Sequence, residues 1–375
     1  MPPAEGGGME IKMQQGVIEN NRENNFNIIR LLAAFMVMSG HMGHIMGTGR
    51  PVLMGQEVHT LGVKIFFLIG GYLITKSYES DHSIVKYAIK RFFRIWPPLV
   101  VSVLITALFI APFFSTYSIS DYYKDPLLVY HCVRNIMLYP IFALPGVYTN
   151  NPLPNTVNGS LWSLPVEVMM YVWVPIIVLI VFGKKEKINF ILMLFITAIS
   201  CVMQIMHVLY FQNVHLIIYG SDLAQAMDLI PFYLIGMLFT FKYLKKYLNI
   251  QVAVLLLIIC SSITVPFEYG YLLTYTVFPY IVFSIAFAKN PFFGSKIPTR
   301  KWEISYGLFL FGFPIQQSVE SLVIENNIQL DFIVELLISL SLTVVLAFLL
   351  HNFIEENVVR LSKVLINKIK VEKVN

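Results

Sequence analysis

The chain has 375 residues, of which 57% are hydrophobic and 13% charged, with a mean hydropathy of +0.68 and a formal net charge of +5. Soluble domains run nearer about 45 to 50% apolar and about 25% charged, so a water-soluble globular enzyme and a disordered chain are both excluded. The 27 Lys and Arg are scattered through loops rather than gathered in a stripe, which argues against a nucleic-acid partner.

Residues 1–25 form a polar tail without the apolar core of a cleaved signal peptide. The first apolar run, 26–47, carries Arg30 and His41. Eleven residues correspond to about 1,100° of helix rotation, roughly 20° past three turns, so the two share a face about 16.5 Å apart along the axis. Ionisable groups inside a span are functional candidates because hydrocarbon makes them costly. The plainer alternative is a snorkelling arginine and a hydrogen-bonded bundle histidine. His41 and His44 are spaced i, i+3, but with no carboxylate or cysteine nearby no metal is expected. The second run, 57–78, holds Gly70-Gly71, read as a packing surface.

The following loop, 79–95, ends Lys90-Arg91-Phe92-Phe93-Arg94-Ile95-Trp96, and its two arginines would share a face of a short interfacial helix before the third span, 96–114. Paired guanidiniums hold phosphates by bidentate hydrogen bonds, although a basic loop also serves simply to set topology. Within loop 115–162, the stretch Pro126 to Leu144 carries His131, Arg134 and Asn135 at its middle and reads as interfacial or re-entrant. The loop closes on Asn158-Gly159-Ser160-Leu161-Trp162-Ser163-Leu164-Pro165-Val166-Glu167. Ser163 reads as the N-cap of the fourth span, 163–182, with Pro165 in its first turn. Glu167 then stands at the depth expected for His41, where a carboxylate can fix an imidazole's tautomer and raise its basicity.

Further spans are predicted at 188–210, 223–241, 250–266, 270–288, 303–325 and 330–353, followed by a basic amphipathic tail, 354–375. The fold class is therefore all-α: a polytopic bundle of about ten transmembrane helices plus one re-entrant or interfacial helix. Alternate loops hold 21 of the 27 Lys and Arg against 3 in the opposite set, which places both termini in the cytoplasm. The chain thus divides into a tail (1–25), one membrane domain (26–353) and a cytoplasmic tail (354–375). Cys132, Cys201 and Cys260 are too dispersed to suggest a disulfide framework or a metal site.

Arg30 with His41, Phe66 to Tyr72, Arg91 with Arg94, Leu161-Trp162-Ser163 with Glu167, and Ile304-Ser305-Tyr306 together resemble the acyltransferase 3 family of integral membrane acyltransferases, in order, from about residue 24 to 356. The resemblance implies transfer of an acyl group, most often acetyl, from cytoplasmic acyl-CoA to a hydroxyl of an extracytoplasmic or lipid-linked sugar. The expected home is a bacterial inner membrane. It casts His41 as general base with Glu167 orienting it, and assigns Arg30, Arg91 and Arg94 to acyl-CoA. Trp162, Ser163 or backbone amides are candidates for the oxyanion. Acyl-CoA is a co-substrate, with no bound cofactor and no metal expected; the other partners are a carbohydrate or glycolipid acceptor and membrane lipid. Direct transfer is favoured over an acyl-enzyme, since no serine or cysteine has a nucleophile's context. Gly70-Gly71-Tyr72 and Phe311-Gly312-Phe313-Pro314 depart from the family pattern, lacking the hydroxyl and imidazole common there. The competing reading is a ten-span transporter or flippase for a sugar or lipid-linked glycan, with Arg30, His41 and Glu167 forming a polar path.

Overall fold

A computed structural model describes residues 25–49, 51–211, 213–263, 265–288 and 303–372. The tail 1–24, Arg50 and the basic loop 289–302, all used in the topology reading, lie outside the described residues.

The described chain is helical apart from two short hairpins. In order it runs α1 (Phe26–Ile45), β1 (Val52–Leu53), β2 (Gln56–Glu57), α2 (Val58–Glu79), α3 (Ile84–Ile105), α4 (Ile119–Lys124), α5 (Pro126–Ile136), α6 (Ser163–Val181) and α7 (Glu186–Tyr210). Then come β3 (Ile217–Ile218), β4 (Ser221–Asp222), α8 (Leu223–Leu238), α9 (Lys242–Lys245), α10 (Ile250–Ser262), α11 (Phe267–Ala286), α12 (Ser305–Glu325), α13 (Phe332–Leu350) and α14 (Glu356–Glu372). Eight described helices are long and apolar enough to cross a bilayer, while α8 and α10 stand where two further spans were expected but are shorter. The protein is an all-α polytopic membrane bundle.

The solvent of this bundle is visible in its inverted faces. The buried residues of α7 are Asn189, Met193, Thr197 and Gln204, whereas Ile191, Leu194, Phe195, Ile199 and Val202 face outward. Helix α13 repeats the inversion, burying Glu335, Ser339 and Thr343 beneath exposed Ile333, Leu337 and Leu342. A water-soluble helix would turn the opposite way; in hydrocarbon the polar groups must find partners inside.

Helices α1, α2, α8, α12 and α13 form the centre, with α6 against α2. Close approach depends on glycine. A methyl group on Gly71 would stand 2.0 Å from the Tyr233 carbonyl oxygen, and one on Gly236 2.1 Å from that of Leu68, so α2 and α8 touch backbone to backbone. Gly70 instead lines a cavity, so the pair read as packing divides between two roles. Deep between α2 and α8, fully buried Lys64 meets Asp228 Oδ2 at 3.0 Å and donates to Gln56 Oε1 at 3.0 Å.

Three local structures differ from the sequence expectation. From Ile84 onward the basic loop before the third span is helix: Ile84 to Phe114 forms one 31-residue unit, rising about 46 Å against about 30 Å of hydrocarbon. Its surplus length carries the arginines on a rigid extension. The amphipathic tail likewise continues from α13 through a π-helical turn, His351–Glu355, and packs α14 against α3. Thirdly, Ser163 does not cap α6. Asn158 instead caps the 3-10 turn Gly159–Trp162 that leads into α6, accepting from the Ser160 amide at 3.1 Å and donating to the Leu310 carbonyl at 2.9 Å. Helix α5 has 11 residues, too short to span. Its polar groups are satisfied by the loop it precedes: His131 Nδ1 pairs with the Ala143 carbonyl at 2.9 Å, and Asn135 donates to that of Ile141 at 2.9 Å.

Gly236→Ala and Gly71→Ala are each expected to lower thermal stability in detergent by about 2 kcal/mol or more through overpacking. Gly183→Ala, where the added carbon would meet only the Leu179 carbonyl at 3.9 Å, should leave the melting curve in place.

Candidate active site

A cavity of ≈ 470 Å³ opens between α1, α2, α3, α6, α12 and α14. One part of its wall is basic, with Arg30, Lys90, Arg91, Arg94 and Lys363 set against only two lining carboxylates, Glu167 and Glu303. The remainder is aromatic and aliphatic, from Phe66, Phe67, Phe93 and Phe309 to Val63, with Ser163 among them.

The charged groups come from several elements: Arg30 from α1, Lys90, Arg91 and Arg94 from α3, Glu167 from α6 and Lys363 from α14, with Glu303 just before α12. Arg30, in the first turns of α1, donates to Glu303 Oε1 at 2.9 Å, and Arg94 of α3 reaches the same oxygen at 3.5 Å. Arg94 also stands 4.0 Å from Glu355, which holds His351 Nδ1 at 3.0 Å. Arg91 has a different environment. It lies between the rings of Tyr87 and Tyr171, each 5.7 Å from its guanidinium carbon, and among the described residues forms no salt bridge. Its Nε is buried with no hydrogen-bond acceptor among them. The three arginines grouped by sequence are thus unequal: two share a carboxylate, and one is free to meet an anion.

Glu167 and His41 are not brought together. Tyr171, one turn further along α6, donates to Glu167 in a short hydrogen bond, and Tyr87 donates to the Tyr171 carbonyl at 2.9 Å. Glu167 therefore belongs to the cavity wall, and its hydrogen-bond partner is Tyr171 rather than His41. His41 is 7% exposed. Its ring packs 5.1 Å from those of His59 and Phe313. A methyl group on Gly40 would stand 2.6 Å from His59 Cβ, so glycine admits that second histidine.

Two helices measure the separation between the cavity and His41. On α2 the lining extends to Val63 and His59 touches His41; on α12 it extends to Phe309 and Phe313 touches His41. Each step is four residues, about 6 Å or one helical turn. The imidazole is buried one turn past the cavity's apolar end. Ser163 lines that end, whereas Trp162 does not reach the cavity, and its carbonyl accepts from Ser221 at 3.4 Å. The expectation against a metal rested on a missing carboxylate. The structure supplies one, placing Glu57 and His59 beside His44.

The sequence pattern of the acyltransferase 3 family, an acyltransferase domain, matches residues 23–352. The chain belongs to this family. It is 26% identical over 348 residues to an O-acetyl transferase of Shigella phage Sf6, covering 90% of this chain and 96% of the relative. A nodulation protein 10 of Rhizobium leguminosarum bv. viciae is 32% identical over 170 residues, 42% of this chain and 45% of that one. The peptidoglycan O-acetyltransferase OatA of Listeria monocytogenes is 25% identical over 322 residues, 76% of this chain and 48% of that one. No solved structure matches. The protein is a membrane O-acyltransferase, which sets aside the transporter reading.

Sequence reasoning missed Tyr171, Glu303, Glu57 and His59. Tyr171 was accessible, since i, i+4 from Glu167 places both on one helical face. Glu303 precedes α12 with no periodic signal, and its partners lie 273 and 209 residues away.

Glu303→Ala would leave Arg30 and Arg94 without the oxygen they share. A loss of about 1 to 2 kcal/mol is expected for this partly exposed cluster, below the range for a fully buried pair. A double-mutant cycle with Arg94→Ala on thermal unfolding should return a coupling of about 1 kcal/mol; additivity would show the contact to be energetically idle.

Proposed function

We propose that the chain transfers an acyl group, acetyl in the first instance, from acyl-CoA on a cytoplasmic basic face to a hydroxyl of an extracytoplasmic or lipid-linked sugar. The observation that carries this reading is the cavity: basic with an uncommitted Arg91 on one side, apolar on the other, and ending one helical turn from His41. Arg91 meets phosphate first, with Lys90 and Lys363 adding charge; Arg30 and Arg94, tied through Glu303, shape the wall. The acyl arm runs between Phe66, Phe67 and Phe309, where exclusion of water protects the thioester.

His41 takes the acceptor hydroxyl's proton as the oxygen attacks the thioester carbonyl. The tetrahedral oxyanion collapses with cleavage of the carbon–sulfur bond, and the thiolate leaves, its proton returned by the imidazolium. Ser163, which lines the cavity, donates to the oxyanion. Glu167, held by Tyr171, orders the cavity wall rather than the base. Transfer is direct, without an acyl-enzyme, and both termini are cytoplasmic in a bacterial inner membrane. A carbohydrate acceptor agrees with the relative named as a peptidoglycan O-acetyltransferase.

Reconstituted protein given radiolabelled acetyl-CoA and candidate glycans provides the test. Arg91→Ala should raise the KM for acetyl-CoA about 10- to 100-fold, the worth of one charge-assisted contact. His41→Ala should cut kcat at least about 100-fold with little change in that KM. Near-normal transfer by a correctly inserted His41→Ala protein would overturn the assignment.

A further inference from the structure

We propose that His44, Glu57 and His59 form a divalent-metal site, with zinc as its natural occupant, beside His41. This goes beyond the acyl-transfer reading, and its test needs no turnover.

Two of the three donor separations already match what a tetrahedral ion would require. His44 Nε2 lies 3.2 Å and His59 Nδ1 3.3 Å from the same Glu57 oxygen, Oε2. Zinc bonds of about 2.0 to 2.2 Å in tetrahedral arrangement separate neighbouring donors by roughly 3.3 to 3.5 Å. All three donors fall within 4.8 Å of one another. Two imidazoles and a carboxylate suit zinc rather than magnesium or calcium, which favour oxygen. They also leave a fourth position open, as in catalytic rather than structural zinc sites.

The scaffold fixes these donors before any ion arrives. His44 lies in the last turn of α1, Glu57 ends β2, and His59 is the second residue of α2. Between β1 and β2 the turn residues Met54 and Gly55 have φ of 54° and 72°, the two left-handed positions of a tight hairpin. This turn leads Glu57 directly into α2. Gly40 then lets α2 close on α1 until the His59 and His41 rings meet. Thr60 Oγ1 stands 3.4 Å from His59 Nε2, an outer contact of the kind that orients a metal-bound imidazole with its other nitrogen inward. The three side chains are 17 to 28% exposed, which leaves a path for the ion.

The competing account is a metal-free network in which two imidazole N–H groups donate to one carboxylate. Tag-free, full-length protein in detergent, stripped with chelator and dialysed, distinguishes the two. Zinc readdition should give one ion per chain by elemental analysis, and cobalt should give the visible absorption of a tetrahedral nitrogen–oxygen site. Glu57→Gln, His59→Gln and His44→Gln should each weaken zinc binding about 100-fold or more, while a matched elution profile reports folding. Should one variant misfold, the wild-type stoichiometry and the other variants still decide. Binding below one ion per chain, or equal binding in wild type and variants, would overturn the site and leave the hydrogen-bonded network. Acyl transfer surviving full zinc removal would leave the donor and His41 assignments intact.

Discussion

In hydrocarbon a polar side chain has no solvent to turn to, so within a span it is favoured inside the protein over facing lipid. That constraint organises the whole bundle. It explains why α7 hides Asn189, Thr197 and Gln204 while presenting isoleucine, leucine and phenylalanine outward, and why Lys64 is enclosed by Asp228, Gln56 and two aromatic rings. Helix contact contributes what polar pairing cannot. Gly71 and Gly236 bring α2 and α8 to backbone distance, where van der Waals contact replaces the hydrophobic drive that lipid cannot supply.

The same constraint separates the two kinds of charge in the cavity. Glu303 partly neutralises Arg30 and Arg94 at one oxygen, with Glu355 behind Arg94, so the wall stays charged without strong internal repulsion. Arg91 is flanked by tyrosine faces instead, whose quadrupoles tolerate a cation without claiming its hydrogen bonds. A cavity built in this way holds two guanidiniums that share a carboxylate and one that, among the described residues, forms no salt bridge. The long α3 and the continuous α13–α14 unit build that face from continuous helices.

At the other end, the interval between Val63 and His59 on α2, and between Phe309 and Phe313 on α12, sets the His41 imidazole one turn beyond the apolar end of the cavity. Phe313 packs edge-on against His41 and also against Gly159, where an added methyl would stand 2.6 Å away. The glycine that departs from the family pattern at position 312 lies against Met38, filling space that an imidazole would contest. Asn151 and Gln317 pin the loop before α6 to α12.

What the sequence determined by itself was whatever depends on local period and solvent preference: the all-α class, the positions of the spans, the short α5, and the burial of His41, with Arg30 and the α3 arginines on a separate basic face. These follow from apolar run length and from 3.6 residues per turn, both contained in adjacent residues. The tertiary structure alone decided which ionisable groups meet. Glu167 joined Tyr171 rather than His41, and the cavity wall that holds it stops one helical turn short of the imidazole. Glu303 came to two arginines more than 200 residues away, and Glu57 supplied the carboxylate that His44 lacked through a hairpin whose turn depends on two left-handed backbone positions. Partners so distant leave no period in the chain, since their meeting is fixed by helix packing.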